Sequence, residues 1–505
     1  MVNIEELTKF CKEKAYVYQT AEIYGGLAGF FDLGHNGAEL NNNIKKEWWS
    51  RFVQQRDDIY GIDGSIVTHP NVWVASGHVD NFMDLMVTCS KCKEKIRADH
   101  FIEDKLDIAA DGMKAEEINE LVKKHGLKCP NCGGDFQETN DFNLMFTTNV
   151  GPKVSKENTA FLRPETAQLI FTNFKLVVEH ARAKLPFGIA QVGKAFRNEI
   201  SPRDFIFRAR EFEQMEIEYF INPKEVNNCP WVGEAYDFEF NVLSSKMQEN
   251  DISETKKITG KKAYEDGIIK TPWHVYWLYK AIKFYTDLGA NPDNFRIRQH
   301  LSTEKSHYAL DTLDVDYNFP FGWKELTGAA NRTDYDLNQH IQHSKKDLSL
   351  FDEETKEKIV PYVVAEPSFG VGRSFLVFML EAYDDDKERG NKVLKLHPRL
   401  APNKVGVFPL VNKLHDEAKE LHNDLKKVMT AKFDKSGSIG RRYARADEEG
   451  IPYCVTFDFD SMEDKSVTIR DRDSTKQKRV KITELKDTLR KLIEEEIKFE
   501  EITGK

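Results

Sequence analysis

The chain has 505 residues, of which 40% are hydrophobic and 31% charged, with a formal net charge of −10. That composition builds packed cores and excludes a disordered, fibrous or collagen-like protein, and the length allows about two to four domains. The acidic balance argues against a surface that coats nucleic acid throughout, although one local basic face suffices for phosphate contacts.

No run of about twenty apolar residues occurs, so no membrane span is expected. The first residues, Met1 to Lys14, lack the basic and then apolar regions of a secretory signal. Seven cysteines in so long a chain do not make a disulfide scaffold. Four of them form two CxxC pairs, which read as metal ligands in a reducing compartment. Together these points predict a cytoplasmic protein.

In chain order, residues 1–88 mix helical and strand patterns. A helix is expected around Gly34 to Phe52, on which Trp48, Trp49 and Phe52 recur at helical spacing, suited to core or interface packing alike. Residues 89–141 read as an insertion, polar between its CxxC ends. Cys89, Cys92, Cys129 and Cys132 place two thiolates on each of two tight turns, the pattern of a closed structural zinc site. Cys11, Cys229 and Cys454 stand apart and read as buried or incidental. Arg163-Pro164-Glu165 opens a helix expected over 165–184, with proline at an early, tolerated position.

Residues 189–220 carry the densest chemistry, two strand-like runs flanking an arginine-rich loop. Alternate residues of a strand share a face, so Phe212, Gln214, Glu216 and Glu218 point one way, and Arg197 and Glu199 share a face on the first run. Such a hairpin gathers arginines that pair with phosphate oxygens through a planar fork, a ring that stacks on a purine, and carboxylates that hold an ammonium group. A surface hairpin with cross-strand ion pairs is the plainer alternative. Phe205, Ile206 and Phe207 within the loop fit that alternative poorly.

Further on, residues 222–293 include a polar stretch, NDISETKKITGKK, expected to be a loop-rich insertion. Residues 295–383 return to strands and end in a helix. Residues 396–403, with two prolines, read as a linker. Beyond it, the strand patterns VGVFPLV, CVTFDFD and SVTIRD, a helical stretch and a charged amphipathic terminal helix predict a separate α/β domain.

Three segments carry a resemblance. FRNE (196–199) with RAREFEQME (208–216) resembles motif 2 of the class II aminoacyl-tRNA synthetases in its glycyl-tRNA synthetase form. GVGRSFLVFMLEAY (370–383), behind EPSFG, resembles motif 3. FLRPETAQ (161–168) is similar to that family's substrate-binding helix start. The helix at 34–52 corresponds to motif 1, with His35 where the family usually has proline. The resemblance covers nearly the whole chain. It implies an α/β fold: an antiparallel catalytic sheet flanked by helices over 1–88 and 142–400, a zinc-knuckle insertion at 89–141, and an α/β anticodon-binding domain at 401–505. It also implies a homodimer.

The activity it implies is ligation of glycine to tRNA(Gly) through glycyl-adenylate, with ATP as substrate and Mg²⁺ beside the phosphates. Glycine has no side chain to grip, so a site selects it by holding its two charged groups and leaving no room for a methyl. The resemblance assigns that pocket to Arg97, Glu165, Phe212, Glu213, Gln214, Met215, Glu216, Glu366, Ser368 and Gly370. The ATP site it implies comprises Arg197, Asn198, Glu199, Phe207, Arg208, Arg210, Glu211, Phe212, Glu325, Leu326, Gly370, Gly372 and Arg373. Within it Arg197 serves the α-phosphate and the glycine carboxylate, Glu199 the adenine amino group, Phe212 one adenine face, Arg373 the other face or the γ-phosphate, and Glu325 the magnesium ion. Arg197, Arg373 and Glu325 are the catalytic set. In the C-terminal domain, Lys432, Lys435, Arg441, Arg442 and Arg445 form either a phosphate-facing patch or a solvated helix face. Two rivals are a related synthetase for threonine, proline, serine or histidine, and a non-catalytic RNA-binding protein of the same fold. The FEQMEIE and EPSFG strings oppose the first; the complete set Arg197, Glu199, Phe212 and Arg373 opposes the second.

Overall fold

A computed structural model describes residues 2–108, 110, 113–301, 311–353 and 355–502. Its centre is a nine-stranded sheet whose strands are, in chain order, β1 (Ile59–Ile62), β2 (Phe187–Phe196), β3 (Glu211–Ile221), β4 (Glu239–Leu243), β5 (Lys256–Thr259), β6 (Phe295–Gln299), β7 (Asp311–Phe319), β8 (Gly322–Asn331) and β9 (Tyr362–Gly370). They lie side by side as β5-β4-β6-β7-β8-β9-β3-β2-β1. Pairing is antiparallel except at β1/β2 and β4/β6. The long β2–β3 hairpin runs from Phe187↔Phe220 to Phe196↔Glu211 without a break. On its other side β3 meets β9, with Gln214 opposite Gly370 and Glu216 opposite Ser368.

Four helices matter for the site: α1 (His35–Trp49), α2 (Ala167–Ala181), α3 (Pro272–Thr286) and α4 (Val371–Ala382). On α1, Leu40, Ile44 and Trp48 are fully buried, the apolar stripe that turns a helix onto a sheet. A Cβ at Gly37 would fall 1.8 Å from the Tyr16 carbonyl oxygen, so only glycine permits that close approach. Trp48 and Phe52 are core residues, both packed on Phe369 of β9. Trp49 lies against Gly61 of β1, where a Cβ would be 2.3 Å from the indole ring.

Three expectations change. The helix expected from residue 165 begins at Ala167, with Thr166 at its N-cap; Pro164 lies outside it and sets up the turn rather than the first helical position. Residues 222–293 are no loop-rich insertion. They supply the strand β4, the edge strand β5 and the helix α3, whose Trp273, Trp277, Phe284 and Tyr285 are all buried in the main core. The polar stretch was legible only as solvent-facing, and one face of an edge strand is just that. Residues 396–403 are packed rather than free. Leu396 and Leu400 join the main core, and Asn43 donates to the Leu400 and Ala401 carbonyls at 3.1 Å.

The insertion has its own sheet, Met83–Thr88 between Lys95–Arg97 and Asn140–Asn143, so its strands extend beyond both cysteine pairs. It closes on a small core of Val87, Ala98, Ala110, Ile102 and Ile118. After residue 404 a five-stranded mixed sheet forms around the central strand Tyr453–Phe457 and encloses a separate core. Among the described residues no helix is long and apolar enough to cross a membrane.

Candidate active site

The end of the β3–β9–β8 face, together with the loops above it, forms a cleft of about 460 Å³. Strand alternation aims Phe212, Gln214 and Glu216 into it from β3, and Glu366, Ser368 and Gly370 from β9. Arg197, Glu199, Phe207 and Arg208 enter from the hairpin loop, Glu325 and Leu326 from β8, Gly372 and Arg373 from the start of α4, Glu165 from before α2, and Arg97 from the insertion.

The mouth is cationic. Arg197 donates through Nε to the Pro164 carbonyl at 3.1 Å, and its guanidinium lies 5.3 Å from the Phe82 ring and 5.4 Å from the Phe212 ring. Arg373 lies 4.6 Å over the Phe207 ring and pairs with the Glu325 carboxylate at 3.2 Å. Burial, and then the neighbouring guanidiniums of Arg97, Arg373 and Arg203, disfavour the charged form of Arg208 despite nearby Glu199. Such crowding of positive charge suits a polyanion. Arg97 is fixed between Asp84 at 3.0 Å and Asp99 at 2.7 Å; burial pushes Asp84 up to about 6. Crowding opposes ionisation of Glu325, but Arg373 and Arg197 outweigh it and hold that carboxyl below its ordinary range.

The deep end is anionic and buried. Arg332, just after β8, donates to both oxygens of Glu366 at 2.6 and 2.8 Å and reaches Asp336 at 3.2 Å. Glu165 faces His78 at 3.4 Å and Arg332 at 3.8 Å; contact with His78 and the guanidiniums of Arg332 and Arg197 outweigh its burial and hold its carboxyl well below the ordinary range. Glu216 accepts from the Thr166 hydroxyl, and Gln214 donates to Ser368 Oγ at 3.2 Å. Half-buried Arg197 and Arg373 therefore share one cavity with buried Glu216 and Glu366. Arg332, His78 and Asp336 were not singled out from sequence. Arg332 follows a strand within NRTDYD, and only the cross-strand pairing of Ala330 with Glu366 brings it to the pocket.

Comparison with known proteins agrees in length and in detail. Residues 404–492 match the family described as the anticodon binding domain. Over 506 residues, 99% of each chain, this sequence is 45% identical to a glycine–tRNA ligase from Caldanaerobacter subterraneus subsp. tengcongensis. It is 43% identical to that of Bacillus cereus over 98% of this chain and 100% of the relative, and 44% identical to that of Acetivibrio thermocellus over 95% and 96%. The chain belongs to the glycine–tRNA ligase family.

In this glycine–tRNA ligase family member, several expected site residues lie apart from the cleft. Met215 is buried in the main core on the opposite face of β3. The Glu213 carboxylate, although its residue borders the cleft, turns to Asn41 at 2.7 Å and Lys45 at 2.9 Å on α1. Glu211 pairs with Lys194. The two-residue period of a strand requires this, since 211, 213 and 215 oppose 212, 214 and 216. Arg210 ties the loop together by donating to the Glu199 and Ala28 carbonyls at 2.9 Å. Asn198 is held by its backbone N–H on the Leu144 carbonyl at 2.7 Å and does not line the cavity.

The four CxxC cysteines converge. Cys89 and Cys132 sulfurs are 3.5 Å apart, Cys92 and Cys129 3.6 Å, and all four lie within 4.8 Å of one another. Thiolates 2.3 Å from a tetrahedral ion stand roughly 3.8 Å apart, so the set fits a closed metal site. Matching turns shape each pair: Cys89 N–H donates to the Glu94 carbonyl at 2.8 Å, and Cys129 N–H to that of Gly134 at 2.9 Å. Elsewhere, burial pushes the Cys11 thiol up to about 12 and that of Cys229 to about 11, and Cys454 is equally buried. The C-terminal basic cluster is largely engaged. Lys432 pairs with Glu449, Arg445 with Asp434, and buried Arg442 donates to backbone carbonyls; Lys435 and Arg441 face solvent.

Proposed function

We propose that the chain activates glycine with ATP and transfers it to the 3′ end of tRNA(Gly). The observation that carries this is the convergence on one cleft of half-buried Arg197 and Arg373 with buried Glu216 and Glu366. Relatives at 43–45% identity over the whole length bear the same name, and residues 404–492 supply the tRNA-facing domain.

The glycine ammonium group enters among Glu165, Glu216 and Glu366, with Ser368 closing the pocket. Its carboxylate points towards Arg197 and attacks the α-phosphorus in line as pyrophosphate leaves. Catalysis rests on alignment and on neutralising the phosphates. No general base is required, because the nucleophile is already ionised. Arg197 stabilises the charge that builds on the α-phosphate; Arg208 and Arg373 hold the outer phosphates; Phe212 offers adenine a ring face, and Glu199 its carboxylate. Glu325, an oxygen donor kept ionised by two arginines, suits magnesium, which when bound offsets phosphate charge. Zinc suits the four thiolates in a structural role. We further assign the chain to the cytoplasm as a homodimer, supported by the motif 1 resemblance at residues 34–52.

The test is glycine-dependent ATP–pyrophosphate exchange, run beside alanine and serine. Glycine alone is expected to support it, and Arg197→Ala to lower it by about 10²–10³ or more, as for loss of a transition-state donor. Near-normal exchange in that variant would refute the phosphate assignment.

A further inference from the structure

Glu216, Glu218 and Glu366 each bring a carboxylate oxygen within 4.8 Å of the other two, and all three side chains are buried. Two of them are satisfied. Glu366 takes both donors of Arg332, and Glu216 takes the Thr166 hydroxyl. Glu218 has neither kind of partner. It is fully buried, and neither of its oxygens accepts a hydrogen bond among the described residues.

The surroundings of Glu218 are mostly acidic. Glu216 lies on its own strand, Glu366 on β9, and Asp336 on the helix Tyr335–Ser344, against the single guanidinium of Arg332. Behind these, α2 presents Gln168, which donates to Glu165 and Asp336 and meets His340, and β2 presents neutral Gln191. His78 meets Glu165 and the Ser76 hydroxyl. An ionised carboxylate without donors in such a place pays a full desolvation penalty. Burial and like charge accordingly push Glu218 well above the usual carboxylate range, Glu366 up to about 8, and Glu216 upward as well. A proton in such a set belongs to the group as a whole, and the side chain with no donor is where it rests.

Only an added cation removes the need for that proton. On the reading of the pocket given above, the cation is the ammonium group of glycine. We propose that Glu218 is the positioning residue that stores this proton, neutral in the empty pocket and ionised beneath bound glycine. The step balances simply: the Glu218 O–H bond breaks, the proton goes to solvent, and the substrate keeps all three of its ammonium hydrogens. A further negative charge is thereby unmasked only for a ligand with a cationic amino group, which favours amino acids over hydroxy acids of the same size.

Calorimetric titration of the full chain with glycine, in phosphate and in Tris at the same pH, counts the protons released. About one per glycine is expected near pH 7, and affinity is expected to fall about tenfold for each pH unit lowered below the group's titration. Glu218→Gln, isosteric and permanently neutral, should bind glycine without proton release and with a flat pH profile. Glu218→Asp should restore both. No release by the native chain, or unchanged release from Glu218→Gln, overturns the proposal. Glu216→Gln separates it from the parent reading: unchanged glycine affinity there would mean that glycine sits elsewhere.

Discussion

Arg332 is 3% exposed at its side chain and faces three carboxylates, those of Glu366, Asp336 and Glu165. Truncating one partner of a buried charge set leaves the others uncompensated, at about 3–5 kcal/mol. Arg332→Met is therefore expected to lower the urea midpoint of the catalytic body sharply at pH 9.5, with the loss shrinking towards pH 8 and level below it. Glu366 is already raised to about 8 in the folded chain, above its unfolded value, and loss of its guanidinium raises it further. Between about 8 and that higher value the folded variant keeps a proton that the native chain has shed and that the unfolded state does not bind, so only the variant's stability falls further as pH rises there. Parallel pH curves for the native and Arg332→Met chains would contradict this. At this scale the sequence was legible wherever a side chain's direction follows from strand alternation. Phe212, Gln214 and Glu216 point into the cleft as expected. By the same rule the Glu213 carboxylate and the Met215 side chain turn to the other face, although Glu213 still borders the cleft. Arg332 was illegible because its importance comes from a strand pairing made between residues far apart in sequence.

The insertion shows how an element depends on its ligands. Among the described residues five buried apolar side chains, ringed by half-buried ones, form its core, a small core for about sixty residues to hold by burial alone. Metal binding to four thiolates contributes about 10–16 kcal/mol in small zinc domains, so the cysteine set should decide whether this unit folds. Cys129→Ser, or treatment with a strong chelator, is expected to expose residues 83–143 to limited proteolysis while strands β2 and β3 keep their hydrogen-exchange protection. Exchange activity should fall as well, because Arg97 hangs from this unit into the cleft. Retained protection at Cys89 and Cys129 amides in metal-free protein would show that the fold stands without an ion. The CxxC turns were readable because four residues fix each turn. The strands around them were not, since their partners lie fifty residues apart. For the same reason the stretch 222–293 misled. Its polar residues face solvent at and before the edge strand β5, and the buried aromatics of α3 declare a core helix only when the sheet beneath is known.

At the scale of the whole molecule, the junction near residue 400 couples the two large cores. Lys404 donates through Nζ to the Pro398 and Arg399 carbonyls at 2.9 and 2.6 Å. Arg399 meets Glu47 of α1 at 3.3 Å and Glu495 at 3.1 Å, and His397 also meets Glu495, at 3.0 Å. Proline content suggested a free linker, but a chain with that many fixed carbonyls and charges is a strut. Burial pushes the Lys404 ammonium down to about 7, far below the ordinary lysine value. Between pH 7 and 10 the unfolded chain then binds a proton that the native chain has shed, so this residue makes stability rise with pH, by at most about 1.4 kcal/mol per unit. Below pH 7 both states are protonated and the contribution is flat. Lys404→Met retains the packed stem but cannot titrate. Its stability relative to the native chain should therefore be greatest near pH 7 and decline steadily towards pH 10, read by calorimetry at matched ionic strength. A constant difference across that range would show that the ammonium is well solvated, and that the strut is held by Arg399 and its two glutamates instead.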